Sequence, residues 1–154
     1  MPYSKTVFAD TSALYLLFLA GRPSADLCRG VFEDLVNHYK ATCLTTTWVK
    51  YETLTRLRKH GLRACESCEA LLKKREVFRV IPVSPDTESK ALQYFWNWTD
   101  KSIGIVDWTS IQTMWQNNIY YAFAADDHFR QAGLFPLVRR LQGRLERAYS
   151  TLQF

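Results

Sequence analysis

Four carboxylates far apart in the sequence have the chemistry to share a cation: Asp10, Glu52, Asp107 and Asp126. Taken one at a time they have ordinary uses. An Asp after a strand bonds loop backbone, an Asp in the first turn of a helix complements its dipole, and a helical Glu is usually exposed. Gathered at close range they repel one another and resist ionisation unless a cation neutralises them. Mg²⁺ or Mn²⁺ is the natural partner, because hard cations take oxygen ligands and keep several waters. Such a centre suits phosphodiester hydrolysis, in which metal lowers the pKa of an attacking water and stabilises the leaving oxygen.

The elements that must position these acids can be read from the pattern. Lys5-Thr6-Val7-Phe8-Ala9 is a short apolar strand that ends at Asp10. Ala13 to Leu19 follows as a short helix closed by Gly21 and Pro23, and Ser24 caps a helix over Ala25 to Tyr39. Thr42 to Thr46 is the second strand, and the helix after it, from about Trp48 to Lys59, carries Glu52 in its first turns. Leu62 to Arg75 continues as an amphipathic helix, and Val77 to Val83 is a strand. Ser84-Pro85 starts a helix reaching about Trp98. Thr99 to Gly104 is a loop before a helix from about Ile105 to Gln116, with Asp107 in its first turn. Tyr120 to Ala124 is the next strand, Asp126 lies in the loop beyond it, and Phe135-Pro136-Leu137 adds an edge strand. Val138 to Tyr149 reads as a terminal helix, with Leu137, Leu141, Leu145 and Tyr149 on an apolar stripe that would cover the sheet, pair subunits or dock a partner.

Alternating strands and helices predict an α/β fold, with a mainly parallel sheet covered on both faces. Ligands in such sheets bind beyond the carboxyl ends of the strands, near a switch in strand order. All four acids fall at that end. A length of 154 residues corresponds to one domain over 1–154, with a core over about 5–137 and a helical tail over about 138–150. The 47% hydrophobic and 14% aromatic content excludes a disordered chain. No apolar run reaches the roughly 18 residues of a membrane span. Met1 to Lys5 lacks a secretory pattern, so a cytoplasmic location is expected. Twenty Lys and Arg against 15 acidic residues give a formal charge of +5, which suits a polyanionic partner. Arginines and lysines crowd Arg56 to Arg75 and Arg139 to Arg147, where they can neutralise phosphates that the acids repel.

Four blocks resemble PIN-domain nucleases. Val7-Phe8-Ala9-Asp10-Thr11-Ser12-Ala13-Leu14 is similar to the family's opening, and Trp48-Val49-Lys50-Tyr51-Glu52-Thr53-Leu54 to the segment that carries its Glu. Asp100-Lys101-Ser102-Ile103-Gly104-Ile105-Val106-Asp107 is similar to the third acidic block, though Gly104 stands where many relatives carry Ser. Ala124 to Leu134, with Asp126-Asp127-His128-Phe129, is similar to the closing block. The resemblance runs in order from about Val7 to Leu137. It implies a three-layer α/β/α sandwich, PIN-like, and Mg²⁺- or Mn²⁺-dependent cleavage of single-stranded RNA. Asp10, Glu52, Asp107 and Asp126 would be the catalytic, metal-holding quartet, with Ser12 supporting through its hydroxyl. Asp100 would be an outer acid or a simple loop residue. Size and layout resemble VapC-type toxins, which implies a homodimer and a small antitoxin protein as partner. The rival within the family is a non-catalytic PIN-like module that binds RNA or protein.

Other residues carry weaker signals. A haloacid-dehalogenase-like mechanism needs a second Asp two residues after the first, and Ser12 stands there. The long opening hairpins of an RNase H-like nuclease are hard to find. Asp127 reads as a solvated neighbour, and His128 as a packing or hydrogen-bonding residue rather than a general base. Cys65 and Cys68 form a C-x-x-C, but they share a helical stripe with Leu62 and Leu72, and cysteine packs as a small hydrophobe. Trp96, Trp98, Trp108 and Trp115 flank the third acidic block; core or dimer packing fits their helical spacing better than base stacking.

Overall fold

A computed structural model describes residues 5–98 and 102–154. The first strand, β1 (Thr6–Ala9), is central, and Val7, Phe8 and Ala9 are wholly buried. A strand apolar on both sides must be covered on both sides, as parallel sheets are. α1 (Thr11–Leu14) runs into a 3₁₀ turn, Tyr15–Phe18, and Gly21 turns the chain at positive φ. α2 (Pro23–Glu33) follows. Ser24, expected as its cap, lies inside the helix because Pro23 already occupies the first turn, where its missing N–H costs nothing. The helix widens into a π turn over Asp34–His38 before β2 (Thr42–Thr46).

Thr46 caps α3 (Thr47–Arg58) by accepting from the Val49 amide at 3.2 Å, and α4 (Leu62–Leu72) leads to β3 (Phe78–Ile81). Ser84 caps α5 (Pro85–Asn97) as its sequence predicts, and α6 (Ile105–Gln116) packs against it. β4 (Tyr121–Phe123), α7 (His128–Gln131) and β5 (Phe135–Pro136) complete the sheet. All of its pairings are parallel, and its order is β3-β2-β1-β4-β5. The chain steps outward from β1 through β2 to β3, then returns past β1 to β4. Right-handed crossovers therefore put α1–α4 on one face and α5–α7 on the other. The expected α/β fold with helices on both faces is the one observed.

Aromatic packing joins α5 to α6. Tyr94 stacks on Trp108 at 5.0 Å between centroids and meets Trp115 edge-on at 5.3 Å, while Trp98 lies 5.5 Å from Trp108. Trp98, Trp108 and Trp115 thus serve packing, and Trp96 stays 70% exposed. The cysteine stripe on α4 is half realised: Cys68 and Leu72 are buried, whereas Leu62 is exposed. All four cysteines are free thiols, and burial pushes Cys28 up to about 11 and Cys43 and Cys68 up to about 12. Such thiols are inert.

The terminal helix over 138–150 does not form. In its place β6 (Val138–Leu141) and β7 (Arg144–Arg147) make an antiparallel hairpin. Gln142 and Gly143, at φ 51° and 80°, form the two-residue loop. Both central residues at positive φ match a type I′ turn, whose twist suits paired strands. Gly143 would break a helix at its middle, and that local preference overrides the 3.6-residue stripe. Of the stripe only Leu137 is wholly buried, and Leu141 is largely exposed. Beyond the hairpin, Tyr149 Oη donates to Asp34 at 2.7 Å and the Leu152 amide donates to Tyr39 Oη at 3.0 Å, which ties the tail to the π turn. Gly143→Ala is expected to cost about 1 kcal/mol, because a Cβ is disfavoured at positive φ. Gln142→Asn is expected to stabilise slightly, since Asn is favoured there. Urea denaturation of both variants reads the difference, and equal midpoints would refute the turn assignment.

Candidate active site

The residue at the end of β1 sets the geometry. Asp10 continues the ladder to β4 by donating its amide to the Phe123 carbonyl at 3.0 Å, and its side chain is 2% exposed. It therefore sits at the switch point, between the strands that lead out to β2 and β4. Asp10 Oδ2 accepts from the Ser12 amide at 3.0 Å and the Ser12 hydroxyl at 2.6 Å. Ser12 Oγ in turn accepts from the Ala125 amide at 2.9 Å, which clamps the loop after β4 onto α1. Asp10 Oδ1 is buried with no hydrogen-bond partner. A buried oxygen without a donor is costly unless something else neutralises it.

Glu52 comes from α3, which a buried contact locks to α1. Thr11 Oγ1, Thr53 Oγ1 and the Val49 carbonyl stand 2.7–3.4 Å from one another. Thr45 Oγ1 donates to the Ala9 carbonyl at 2.8 Å and fixes the end of β2 beside Asp10. Asp107 lies in the first turn of α6, held in place through its neighbour Trp108. Gly104 precedes that helix without a side-chain cap. Asp126 lies past β4, where its Oδ1 accepts from the His128 amide at 3.1 Å.

Asp10, Glu52, Asp107 and Asp126 line one cavity of about 380 Å³, with Ser12, Arg56 and Gly104. Asp100 lies outside the described residues. His128 joins two of the acids: its Nδ1 stands 2.7 Å from Asp107 Oδ2 and 3.1 Å from Asp126 Oδ1. Facing two carboxylate oxygens, that nitrogen is assigned the proton. Asp107, Asp126 and His128 bring potential ligand atoms all within 4.8 Å of one another, and Asp10 and Glu52 stand outside that grouping.

The cavity resists negative charge. Burial, followed by the charge of Asp107, raises Asp10 to about 7 despite the hydrogen bonds from Ser12. Burial also raises Asp107, while His128 opposes that shift. A divalent cation fits this setting, because it would supply charge to the acids and a partner to Asp10 Oδ1. Two features were underread in the sequence. The partners of His128 are themselves members of the quartet, for which the spacing Asp126-x-His128 was a signal. Arg56, four residues after Glu52 on α3, lines the same cavity as the i, i+4 spacing implies, with its guanidinium over the Tyr15 ring at 5.3 Å.

No protein-family model and no curated protein matches the sequence. Among solved structures, VapC20 of Mycobacterium tuberculosis, a sarcin-ricin-loop-cleaving toxin, is similar over 83% of this chain and 95% of its own, with 29% identity and a TM-score of 0.75. VapBC2 of Rickettsia felis, solved with a DNA fragment from its promoter, is similar over 87% of this chain and 98% of its matched chain, with 14% identity and a TM-score of 0.64.

The buried acid has a consequence for stability. The Asp10 carboxyl is raised from an ordinary 3.8 to about 7 in the folded protein, so the folded state holds that proton more tightly. Its contribution to stability is full at low pH and is lost as pH rises through about 7. With divalent metal chelated, Asp10→Asn is expected to melt higher than the unaltered protein, by a margin that widens between about pH 5 and about pH 8. Thermal melting of both proteins across that range measures the margin; one that is constant or narrows rejects the assignment.

Proposed function

We propose that this chain, which has a PIN-domain fold of the VapC type, is an Mg²⁺- or Mn²⁺-dependent endoribonuclease acting on single-stranded RNA. The observation that carries the reading is the cavity lined by Asp10, Glu52, Asp107 and Asp126 at the carboxyl ends of the strands, with a partnerless buried oxygen on Asp10. Those four acids would hold the cation. When bound, the cation supplies activation of the attacking water and neutralises charge at the leaving oxygen.

The chain's own residues do the rest. Ser12 spends its hydroxyl on Asp10 and the Ala125 amide, so it orients an acid and joins two loops. His128 holds Asp107 and Asp126 together, the role an outer partner plays for metal-binding carboxylates. Arg56 offers a cation at the rim, where an RNA phosphate must approach. The reading brings with it a cytoplasmic toxin restrained by a small antitoxin. It also includes a homodimer, for which the exposed apolar residues Leu92, Phe95 and Trp96 on α5 provide surface. No helix among the described residues is long and apolar enough to cross a membrane.

Purified protein is expected to cut unstructured RNA with Mg²⁺ or Mn²⁺ and to stop when EDTA is added. An RNA carrying the sarcin-ricin loop, the target of the neighbouring toxin, belongs in the same assay. Asp10→Asn should lower the cleavage rate by at least about 100-fold while keeping the fold. Cleavage that persists in that variant, with contaminating nuclease excluded, sinks the mechanism. Metal-independent RNA or protein binding without cutting favours the non-catalytic module instead. For the toxin role, expression should arrest growth, and the product of a short reading frame immediately upstream should relieve it. Harmless expression counts against that role.

A further inference from the structure

A second cleft, of about 1080 Å³, opens beside the acidic cavity, and Ser12, Arg56 and Asp126 line both. The hairpin β6–β7 forms one wall. The start of α2 and the loop after β4 form the others. Its cations are Arg22, Arg56, Arg130, Arg139, Arg140 and Arg144, against two carboxylates, Asp126 and Asp127. No lysine lines it. A guanidinium offers a planar fork that matches a phosphate, which a lysine ammonium does not.

Apart from Arg56, whose guanidinium lies over the Tyr15 ring at 5.3 Å, these arginines are largely uncommitted. Arg130 to Asp127 and Arg139 to Glu146 are exposed contacts at 3.6 Å, worth little. Arg22, Arg140 and Arg144 have no ion pair among the described residues. Nor is the wall that carries them a loose tail. Val138 is buried, the Ala148 amide donates to the Leu137 carbonyl at 2.9 Å, and Arg147 reaches Asp34 at 3.2 Å. The strapped hairpin thus brings Arg139, Arg140 and Arg144 to the lining of one cleft.

We propose that this arginine cleft is a phosphate track that grips the single-stranded RNA flanking the scissile bond. The proposal rests on the ribonuclease reading above. Continuity favours RNA over an acidic peptide: a chain lying in the cleft runs directly into the carboxylate cavity, and only a phosphodiester has a bond to offer there. The track also solves a problem the cavity creates. Four carboxylates repel a polyanion, and flanking guanidiniums offset that repulsion.

The test uses full-length Asp10→Asn protein, which is expected to bind without cutting, and a labelled unstructured RNA at several salt concentrations. R140Q/R144Q should weaken binding on the order of tenfold and reduce the slope of log affinity against log salt by about 1.4, at about 0.7 per lost phosphate contact. R140K/R144K should keep most of the slope, and Lys90→Gln, on α5 and outside the cleft lining, should leave both quantities unchanged. With Asp10 intact, R140Q/R144Q should raise KM for RNA while kcat holds. Arg22→Gln, on a different wall, reads the same effect without touching the hairpin. Unchanged slope and KM in variants that keep their melting temperature overturn the track. So does loss of affinity for a poly-glutamate peptide with RNA binding intact. Failure of the unaltered protein to cut any RNA with Mg²⁺ or Mn²⁺ overturns the function itself, whereas normal cutting with an unmoved KM overturns the track alone.

Discussion

A negative charge at the end of β1 has nowhere to go, and much of the molecule is arranged around that fact. Asp10 occupies the switch point of the sheet, with one oxygen bonded to Ser12 and the other buried without a donor. A protein selected for stability alone would place a neutral residue there. The interactions around it hold the carboxyl in place without neutralising it. The Thr45 bond to Ala9 fixes the strand end, and the Ser12 bridge to Ala125 fixes the loop opposite. A rigid shell around an unsatisfied group is what a binding site for a compact cation requires.

The remaining acids arrive from three other elements, each with its own anchor. Glu52 is carried by α3, which is locked to α1 through buried hydroxyls. Asp107 is carried by α6, whose position is set by Trp108 packed against Tyr94 and Trp98. Asp126 follows β4 and is steadied by the His128 amide and ring. Aromatic packing between two helices is thus a condition of the site, although of those rings only Trp108 adjoins an acid in sequence.

The legibility of the sequence followed the range of the interactions. β1, β2, the Ser84-Pro85 start and the helix over Ile105–Gln116 were readable because each is set by local signals: an apolar run, a cap, a proline at the first turn. The convergence of Asp10 and Asp126 was readable as well, because strand ends in a parallel sheet share one edge. The terminal hairpin was not. Its leucines repeat at helical spacing by coincidence, and Gly143 was the contrary signal, a residue that favours the positive φ of a two-residue turn. The contact of His128 with Asp107 was hidden as well, because it depends on α6 and α7 meeting in space. Asp107 and Asp126 are 19 positions apart, yet one imidazole nitrogen touches both.

The correction to the tail changes the electrostatics of the molecule more than its fold. As a helix, residues 138–149 would have spread their arginines around a cylinder, with much of that charge facing bulk water. As a hairpin pinned to the π turn by Arg147 and Tyr149, the segment delivers Arg139, Arg140 and Arg144 to one cleft. A formal charge of +5 describes the chain poorly, because its charges are sorted. Four acids share a small cavity at the strand ends, and six arginines line the larger cleft that opens into it. Either half alone would be unfavourable, the first by carboxylate repulsion and the second by crowding of cations. Side by side they complement a ligand that has a cation at one point and anions along the rest of its length.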